Sequence, residues 1–192
     1  MPVSLIVLAA GQGTRMQSDL PKVMHEIGGA PLFAHALASG AALDRARTVV
    51  VAGHGFELVE KAALALDEEI VVARQDEQLG TAHAVAQAAD ALAGVGGDAV
   101  VLYGDTPFIR PETLEAMAEA RAGGADLVVL GFEAADPGRY GRLVVEDGAL
   151  TRIVEFKDAT EAERAITLCN SGVVMAEAAL LFDLVAAVGN DN

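Results

Sequence analysis

The sequence predicts an α/β fold, a doubly wound, mostly parallel sheet with a small β-hairpin insertion. Three observations predict it. Short β-branched runs recur along the 192 residues and are almost continuously apolar, as expected of strands covered on both faces. Alanine-rich stretches with helical spacing lie between them. The alternation stops after about residue 140, where two further runs flank Asp147-Gly148, a dipeptide that reads as a hairpin turn.

In chain order, Leu5–Leu8, Thr48–Val51, Ile70–Ala73, Ala99–Tyr103 and Leu127–Leu130 read as the strands. Leu32–Leu43, Phe56–Leu66, Thr81–Leu92 and Pro111–Ala122 read as helices, and right-handed crossovers between parallel strands follow. After Gly80, the residues Ala82, Val85, Ala86 and Ala89 share one helical face. Pro111 followed by Glu112 is a favourable helix start, with the missing N–H and the negative charge both suited to the first turn. Arg142–Glu146 and Leu150–Glu155 form the hairpin, and Ser171–Met175 is a further strand. Glu177–Val188 is a helix expected to bury Leu180, Leu181, Leu184 and Val188. No internal repeat or low-complexity tract interrupts the chain and no linker marks a second domain, so residues 1–192 are expected to be one domain.

Composition narrows the function. Hydrophobic residues make up 53% of the chain, well above a disordered composition. A net charge of −15 sets up a field that repels nucleic acid and anionic membranes, so neither is an expected partner. Only 13 lysines and arginines are present, which makes Arg15 and Lys22, close to one loop, informative. Cys169 is the single cysteine, so no intrachain disulfide forms, and it reads as a small buried apolar residue. Met1-Pro2-Val3-Ser4 carries no basic region ahead of an apolar segment, and the apolar runs are too short to span a bilayer, so a cytoplasmic protein is expected. His25, His35, His54 and His83 show no metal-ligand spacing and none is assigned to catalysis; His54, between Gly53 and Gly55, reads as a loop residue.

The chemistry concentrates where the strands end. Leu8-Ala9-Ala10-Gly11-Gln12-Gly13-Thr14-Arg15 follows Leu5-Ile6-Val7 directly. Two close glycines let the backbone bend and turn its N–H groups to an anion, and a guanidinium matches phosphate oxygens in a fork. The phosphate-binding loop of kinases and ATPases ends in Gly-Lys-Ser/Thr, where this chain has Gly13-Thr14-Arg15. The dinucleotide fingerprint needs a third small residue, where this chain has Met16. On glycine spacing alone, a plain strand-to-loop turn with an exposed arginine fits as well. Asp105, after the run Ala99–Leu102, is suited to hold Mg²⁺ against phosphates, and as part of Asp105-Thr106-Pro107 it equally suits a turn or helix cap. Gln75–Thr81 follows the third strand: the Gln75 amide can pair with a base edge, Gly80 permits close backbone approach, and Thr81 can cap the next helix. Ligands in open α/β sheets bind outside the carboxyl ends of the strands, where all three segments fall.

The full string LAAGQGTRM, with Pro21-Lys22 following, resembles the signature of the nucleoside-triphosphate sugar-1-phosphate transferases. Gln75-Asp76-Glu77-Gln78-Leu79-Gly80-Thr81-Ala82-His83 closely resembles the uracil-reading segment of bacterial bifunctional N-acetylglucosamine-1-phosphate uridyltransferases. Tyr140-Gly141-Arg142, Ile153–Ala159 and Asn170-Ser171-Gly172-Val173 extend the resemblance over essentially the whole chain. It implies a Rossmann-like nucleotide-diphospho-sugar transferase fold. By that resemblance Leu8, Ala9, Ala10, Gly11, Gly13, Thr14, Arg15 and Lys22 hold the nucleotide phosphates, and Gln75, Gly80 and Thr81 contact the uridine. Tyr103, Gly104, Asp105, Gly141, Glu155 and Asn170 form the sugar side, with Asp105 as a Mg²⁺ ligand. Arg15, Lys22 and Asp105 would carry the catalysis. The implied substrates are UTP and N-acetylglucosamine 1-phosphate, and the implied products are UDP-N-acetylglucosamine and pyrophosphate, a step towards peptidoglycan and lipopolysaccharide precursors.

Such enzymes continue into a left-handed β-helix acetyltransferase domain through which they trimerise. The chain stops within the nucleotidyltransferase domain and before an asparagine that shares the metal, so either a truncated form or a stand-alone short relative is expected, lacking one metal ligand and, without the β-helix, open to being a monomer. Two other readings stay open: a module that binds the nucleotide sugar with little catalysis, and a nucleotidyltransferase for another nucleotide, such as a cytidylyl- or molybdopterin guanylyltransferase.

Overall fold

The computed structural model describes residues 1–13 and 16–189. The chain divides into two compact units: Met1–Val128 together with the chain from Met175 onward, and Val129–Val174.

The first unit is built on a parallel sheet in the order β5-β4-β1-β6, formed by Val71–Arg74, Arg45–Ala52, Val3–Ala9 and Asp98–Tyr103. Strand β1 lies in the middle, with Leu8 registered between Val51 of β4 and Tyr103 of β6, and between β1 and β4 in the chain β2 (Glu26–Ile27) and β3 (Ala30–Pro31) form a separate small hairpin. Every residue of β1 is buried, which explains why its sequence lacks the polar alternation of a half-exposed strand. The ladder runs past the strand ends: the Gln75 N–H donates to the Ala52 carbonyl at 2.8 Å, and the Gly104 N–H to the Leu8 carbonyl at 2.9 Å. The loops after β1, β4, β5 and β6 thus leave the sheet along one edge.

Helices cover this sheet. The expected helix boundaries hold for α2 (Phe56–Leu66) and α5 (Pro111–Ala122). Helix α1 covers Leu32–Ser39 and stops short of Leu43 at its C-cap Gly40, which packs where a Cβ would strike the side chain of Leu5. The stretch expected as Thr81–Leu92 is two short helices, α3 (Thr81–Ala86) and α4 (Ala89–Leu92), and its buried stripe is Ala84, Val85, Ala88 and Leu92. In an alanine-rich segment each face is nearly as apolar as the next, so composition alone selects no stripe. Helix α7 (Ala178–Ala186) corrects a second expectation: Ala178 and Leu181 are buried, but Leu184 and Val188 are 45% and 52% exposed. Its inward face follows Ala178, Leu181 and Val185, so of the expected stripe Leu181 is buried as read and the apolar face turns away from Leu184.

Arg121 of α5 ties helix to sheet. Its Nε and Nη2 donate to Oδ1 of Asp98, the first residue of β6, at 3.1 and 2.9 Å, and both side chains are almost fully buried. A buried carboxylate held by two N–H groups converging on one oxygen keeps its charge compensated.

The second unit contains the expected hairpin. Strands β8 (Arg142–Glu146) and β9 (Ala149–Val154) pair antiparallel around Asp147-Gly148, whose φ values of 51° and 81° are those of the tight turn the dipeptide predicts. Cys169 of β10 (Leu168–Glu177) pairs with Arg142 of β8, and β7 (Leu127–Glu133) also pairs with β10. Cys169 is fully buried, as its apolar reading required. The short helix α6 (Glu161–Arg164) begins in a capping box between Thr160 and Glu163.

Candidate functional site

A cavity of about 540 Å³ opens at the carboxyl edge of the parallel sheet, within the range of small-ligand sites. Leu8, Ala10, Gly11, Gly13, Lys22, Gln75, Gly80, Thr81, Tyr103 and Asp105, all singled out from sequence, line it. Ala9 is buried in β1 and Gly104 lies beneath, where a Cβ would approach the Leu8 carbonyl to 3.0 Å and the Phe33 Cβ to 3.2 Å. Gly104 thus serves packing that lets Tyr103 and Asp105 reach the cavity. Thr14 and Arg15 lie outside the described residues. Gly141, Glu155 and Asn170 belong to the second unit.

The charged groups of the cavity pair with each other. Lys22 opens a single 3-10 turn (Lys22–Met24), and its Nζ donates to Asp105 Oδ2 at 2.7 Å. Asp105 occupies a turn after β6, closed by the Thr106 N–H on the Tyr103 carbonyl, as its turn reading expected, and it also lines the cavity. Gly13 places the first loop against this pair. Its φ is +59°, and a Cβ there would lie 2.7 Å from the Lys22 Cβ. Only glycine combines that backbone with that approach.

The opposite wall is the loop after β5. Gln75 is 5% exposed, and its Nε2 lies 3.0 Å from His83 Nδ1. Gly80 holds φ 101° and ψ −178°, a region essentially reserved to glycine, and it is the N-cap of α3. The cap expected of Thr81 is absent: Thr81 is the first helical residue, and no side-chain hydrogen bond caps α3. With Gly80 in this conformation, the cap position falls one residue earlier than the Ser/Thr preference suggested.

Four lining residues were not singled out from sequence: Met16, Val23, Gln78 and Ala84. Gln78 matters structurally, because its Nε2 donates to the Ala10 carbonyl at 2.8 Å and so ties the β5 loop to the β1 loop. The available signal was a second amide three residues after Gln75 in the same string.

In the second unit the three residues expected on the sugar side lie together. The Asn170 N–H donates to the Gly141 carbonyl at 2.8 Å, and a Cβ on Gly141 would lie 3.0 Å from Glu155 Oε1. The Asn170 Oδ1 is engaged by the Gly172 N–H at 2.9 Å. Arg142, 2% exposed, anchors the neighbouring loop by donating to the carbonyls of Gly138, Tyr140 and Arg164.

The family that matches the sequence defines a class, the NTP transferases, and solved structures share the α/β fold. A UDP-glucose pyrophosphorylase solved in complex with UDP-glucose superposes with a TM-score of 0.79 at 21% identity, over 100% of this chain and 83% of that one. HddC from Yersinia pseudotuberculosis superposes at 0.70 and 23% identity, over 94% and 79%. The chain belongs to the MobA-like NTP transferase domain family, whose pattern matches residues 5–170. Among curated relatives, the bifunctional protein GlmU of Dinoroseobacter shibae is 68% identical over 192 residues, which is 100% of this chain and 43% of that protein. GlmU of Cereibacter sphaeroides is 69% identical over 190 residues, 99% of this chain and 42% of that protein. The chain therefore spans less than half the length of the curated relatives it matches.

Proposed function

We propose that this chain transfers the uridylyl group of UTP to N-acetylglucosamine 1-phosphate. The observation that carries this reading is the Lys22–Asp105 pair at 2.7 Å in a cavity whose other wall is the Gln75–Thr81 loop. A cation suited to phosphate, a carboxylate suited to a divalent ion and an amide suited to a base edge line one space. Further support is the string-by-string resemblance to the uridyltransferases, the high identity to proteins named GlmU, and the fold shared with a pyrophosphorylase complexed with UDP-glucose.

In this reaction a phosphate oxygen of the sugar phosphate attacks the α-phosphorus of UTP in line. The bond from that phosphorus to the oxygen bridging to the β-phosphorus breaks, and pyrophosphate leaves with the electron pair. No protein nucleophile is required, so catalysis is positioning and charge neutralisation. Lys22 gives up Asp105 for a phosphate oxygen of the bound nucleotide, and we assign Arg15 to the same charge. Gln75, Gly80 and Thr81 hold the base and ribose; Tyr103, Gly104, Gly141, Glu155 and Asn170 hold the sugar.

Asp105 is the residue that would hold a divalent cation. Among the described residues no cluster of three His, Cys, Asp or Glu side chains is poised for a metal. A single carboxylate of this kind fits Mg²⁺, which takes few protein ligands and completes its shell with phosphate oxygens and water. When bound, such an ion neutralises charge on the reacting phosphates.

Pyrophosphate release from this chain with UTP, Mg²⁺ and N-acetylglucosamine 1-phosphate tests the proposal, run beside CTP and GTP. Release with UTP preferred supports it. Calorimetric binding of UDP-N-acetylglucosamine without release would reassign the chain to a binding module, and preference for GTP or CTP would overturn the choice of nucleotide.

A further inference from the structure

Among the described cavity-lining residues, Gln75 alone is a buried polar side chain. A buried amide has two distinct ends to satisfy, one donating and one accepting. One end of this amide faces a row of polar groups. Its Nε2 is 3.0 Å from His83 Nδ1 and 3.5 Å from the Gly80 carbonyl oxygen. The other ring nitrogen, His83 Nε2, is 3.2 Å from Gln87 Nε2, and that same amide nitrogen donates to the His83 carbonyl at 3.0 Å.

Donor counting decides how this row is wired. With amide nitrogens on both sides of the ring, both ring nitrogens would have to accept, and a neutral imidazole has one acceptor. A doubly protonated ring fails as well, because it needs an acceptor at both ends. One amide must therefore present its oxygen, which is nearly isosteric with its nitrogen. Turning Gln87 would break a good 3.0 Å hydrogen bond and set two oxygens against each other. Turning Gln75 gives up the 3.5 Å contact with Gly80, at the edge of hydrogen-bonding distance, and sets two oxygens together only at that longer separation. The second choice costs less. Gln87 then donates to His83 Nε2, the ring proton resides on Nδ1, and Gln75 Oε1 accepts it.

We infer that His83 is a positioning residue: the relay Gln87–His83–Gln75 fixes the imidazole tautomer and so leaves the NH₂ end of the Gln75 amide facing the cavity. The consequence for ligand choice rests on the proposed function, in that the base enters against Gln75. An amide NH₂ pairs with a carbonyl oxygen such as O4 of uracil and opposes the amino group that cytosine carries at the same position. The relay thus makes the site select UTP over CTP, with His83 acting through Gln75 and touching no nucleotide itself.

Two measurements test this. Long-range ¹H–¹⁵N correlation on the nucleotide-free chain reads which His83 ring nitrogen is protonated, and calorimetric titration of UTP and CTP with Mg²⁺ reads the preference. The expected result is protonated Nδ1 in the wild type and a UTP preference that falls about tenfold in His83→Leu, the factor of roughly one lost hydrogen bond. Gln87→Leu, further from the cavity, is expected to admit the second tautomer and lower the preference even where His83→Leu fails to fold. In a Gln75→Ala background the effect of His83→Leu on the preference should vanish, as expected when one residue acts through the other. A ring protonated at Nε2, or an unchanged preference in either folded variant, would overturn the relay. If the wild type binds neither nucleotide, the uridylyl-transfer reading fails while the ring spectrum still decides the wiring.

Discussion

Lys22 Nζ and Asp105 Oδ2 meet at 2.7 Å although 83 positions separate them in sequence, because the β1 and β6 loops leave the sheet side by side. Their side chains remain 40% and 33% exposed. A pair that accessible contributes little to stability, about 0–1 kcal/mol. Its value lies in holding a cation and a carboxylate at the mouth of one cavity. Lys22→Met and Asp105→Asn are therefore expected to unfold thermally close to the wild type while losing about 10²–10³ in turnover, the scale of one lost electrostatic contact to a transition state. Pyrophosphate release measured beside thermal melts checks the split, and a large fall in melting temperature with proportionate loss of activity would contradict it.

Gly80 separates backbone strain from packing. No atom lies within 4 Å of the position a Cβ would take, so Gly80→Ala meets no clash, only the φ of 101° that L-residues avoid. The expected cost is about 1–3 kcal/mol, read as a lower midpoint in urea unfolding at unchanged slope. Because Gly80 caps α3 and faces Gln75, nucleotide binding should weaken as well. Gly13→Ala differs: it adds a 2.7 Å approach to the Lys22 Cβ and should damage binding more than stability.

Much of this was legible in the sequence, for definite reasons. Strands such as β1 declare themselves because burial on both faces removes polar alternation. Helices α2 and α5 kept their expected ends because Gly55 and Pro111 punctuate them locally. Strand β10 runs well past Ser171–Met175 at both ends because its extent depends on pairing with β8 and β7, which no local pattern records. The α7 stripe was misplaced because its apolar residues surround the helix, and only the packed neighbours choose a face. At the cavity, motif chemistry in the sequence points to Lys22, Gln75 and Asp105, and all three line it. Gln78 and His83 were not assigned because their roles are directional: one reaches back to Ala10, the other across a helix start to Gln75.

Glu163 predicts a response to acid. Its carboxyl is held below the ordinary 4.5, first by the Thr160 hydroxyl and then by the Thr160 backbone N–H, with a smaller contribution from the Arg152 charge. The two Thr160 donors lie 2.7 Å from Oε2, and Arg152 Nη2 lies 2.8 Å from Oε1. A carboxyl with a depressed folded value contributes stability that is present above 4.5 and lost as the pH falls through the folded value. Carboxyl ¹³C titration should place Glu163 below the exposed glutamates, and amides of Thr160–Ala165 should lose exchange protection as the pH falls through that titration. Glu163→Gln, which keeps a capping side chain without the charge, should abolish that pH dependence.

Arg142 should prove the most sensitive position of the second unit. Its guanidinium is buried and donates to the carbonyls of Gly138, Tyr140 and Arg164, so it ties the loop before β8 to the end of α6. Arg142→Met keeps the apolar stem and removes the donor that three carbonyls share, at a cost of about 1.5–3 kcal/mol, the scale of hydrogen bonding by a charged group. Lysine offers a point charge in place of a planar fork and reaches fewer of the three, so Arg142→Lys should recover only part of the loss. The neighbouring residue is Gly141, whose carbonyl accepts the Asn170 N–H and whose Cα faces Glu155. Loss of Arg142 should therefore speed hydrogen exchange at Asn170 and raise the KM for the sugar phosphate more than that for UTP. A fall in apparent kcat with both KM values unchanged would instead mark a general loss of folded protein.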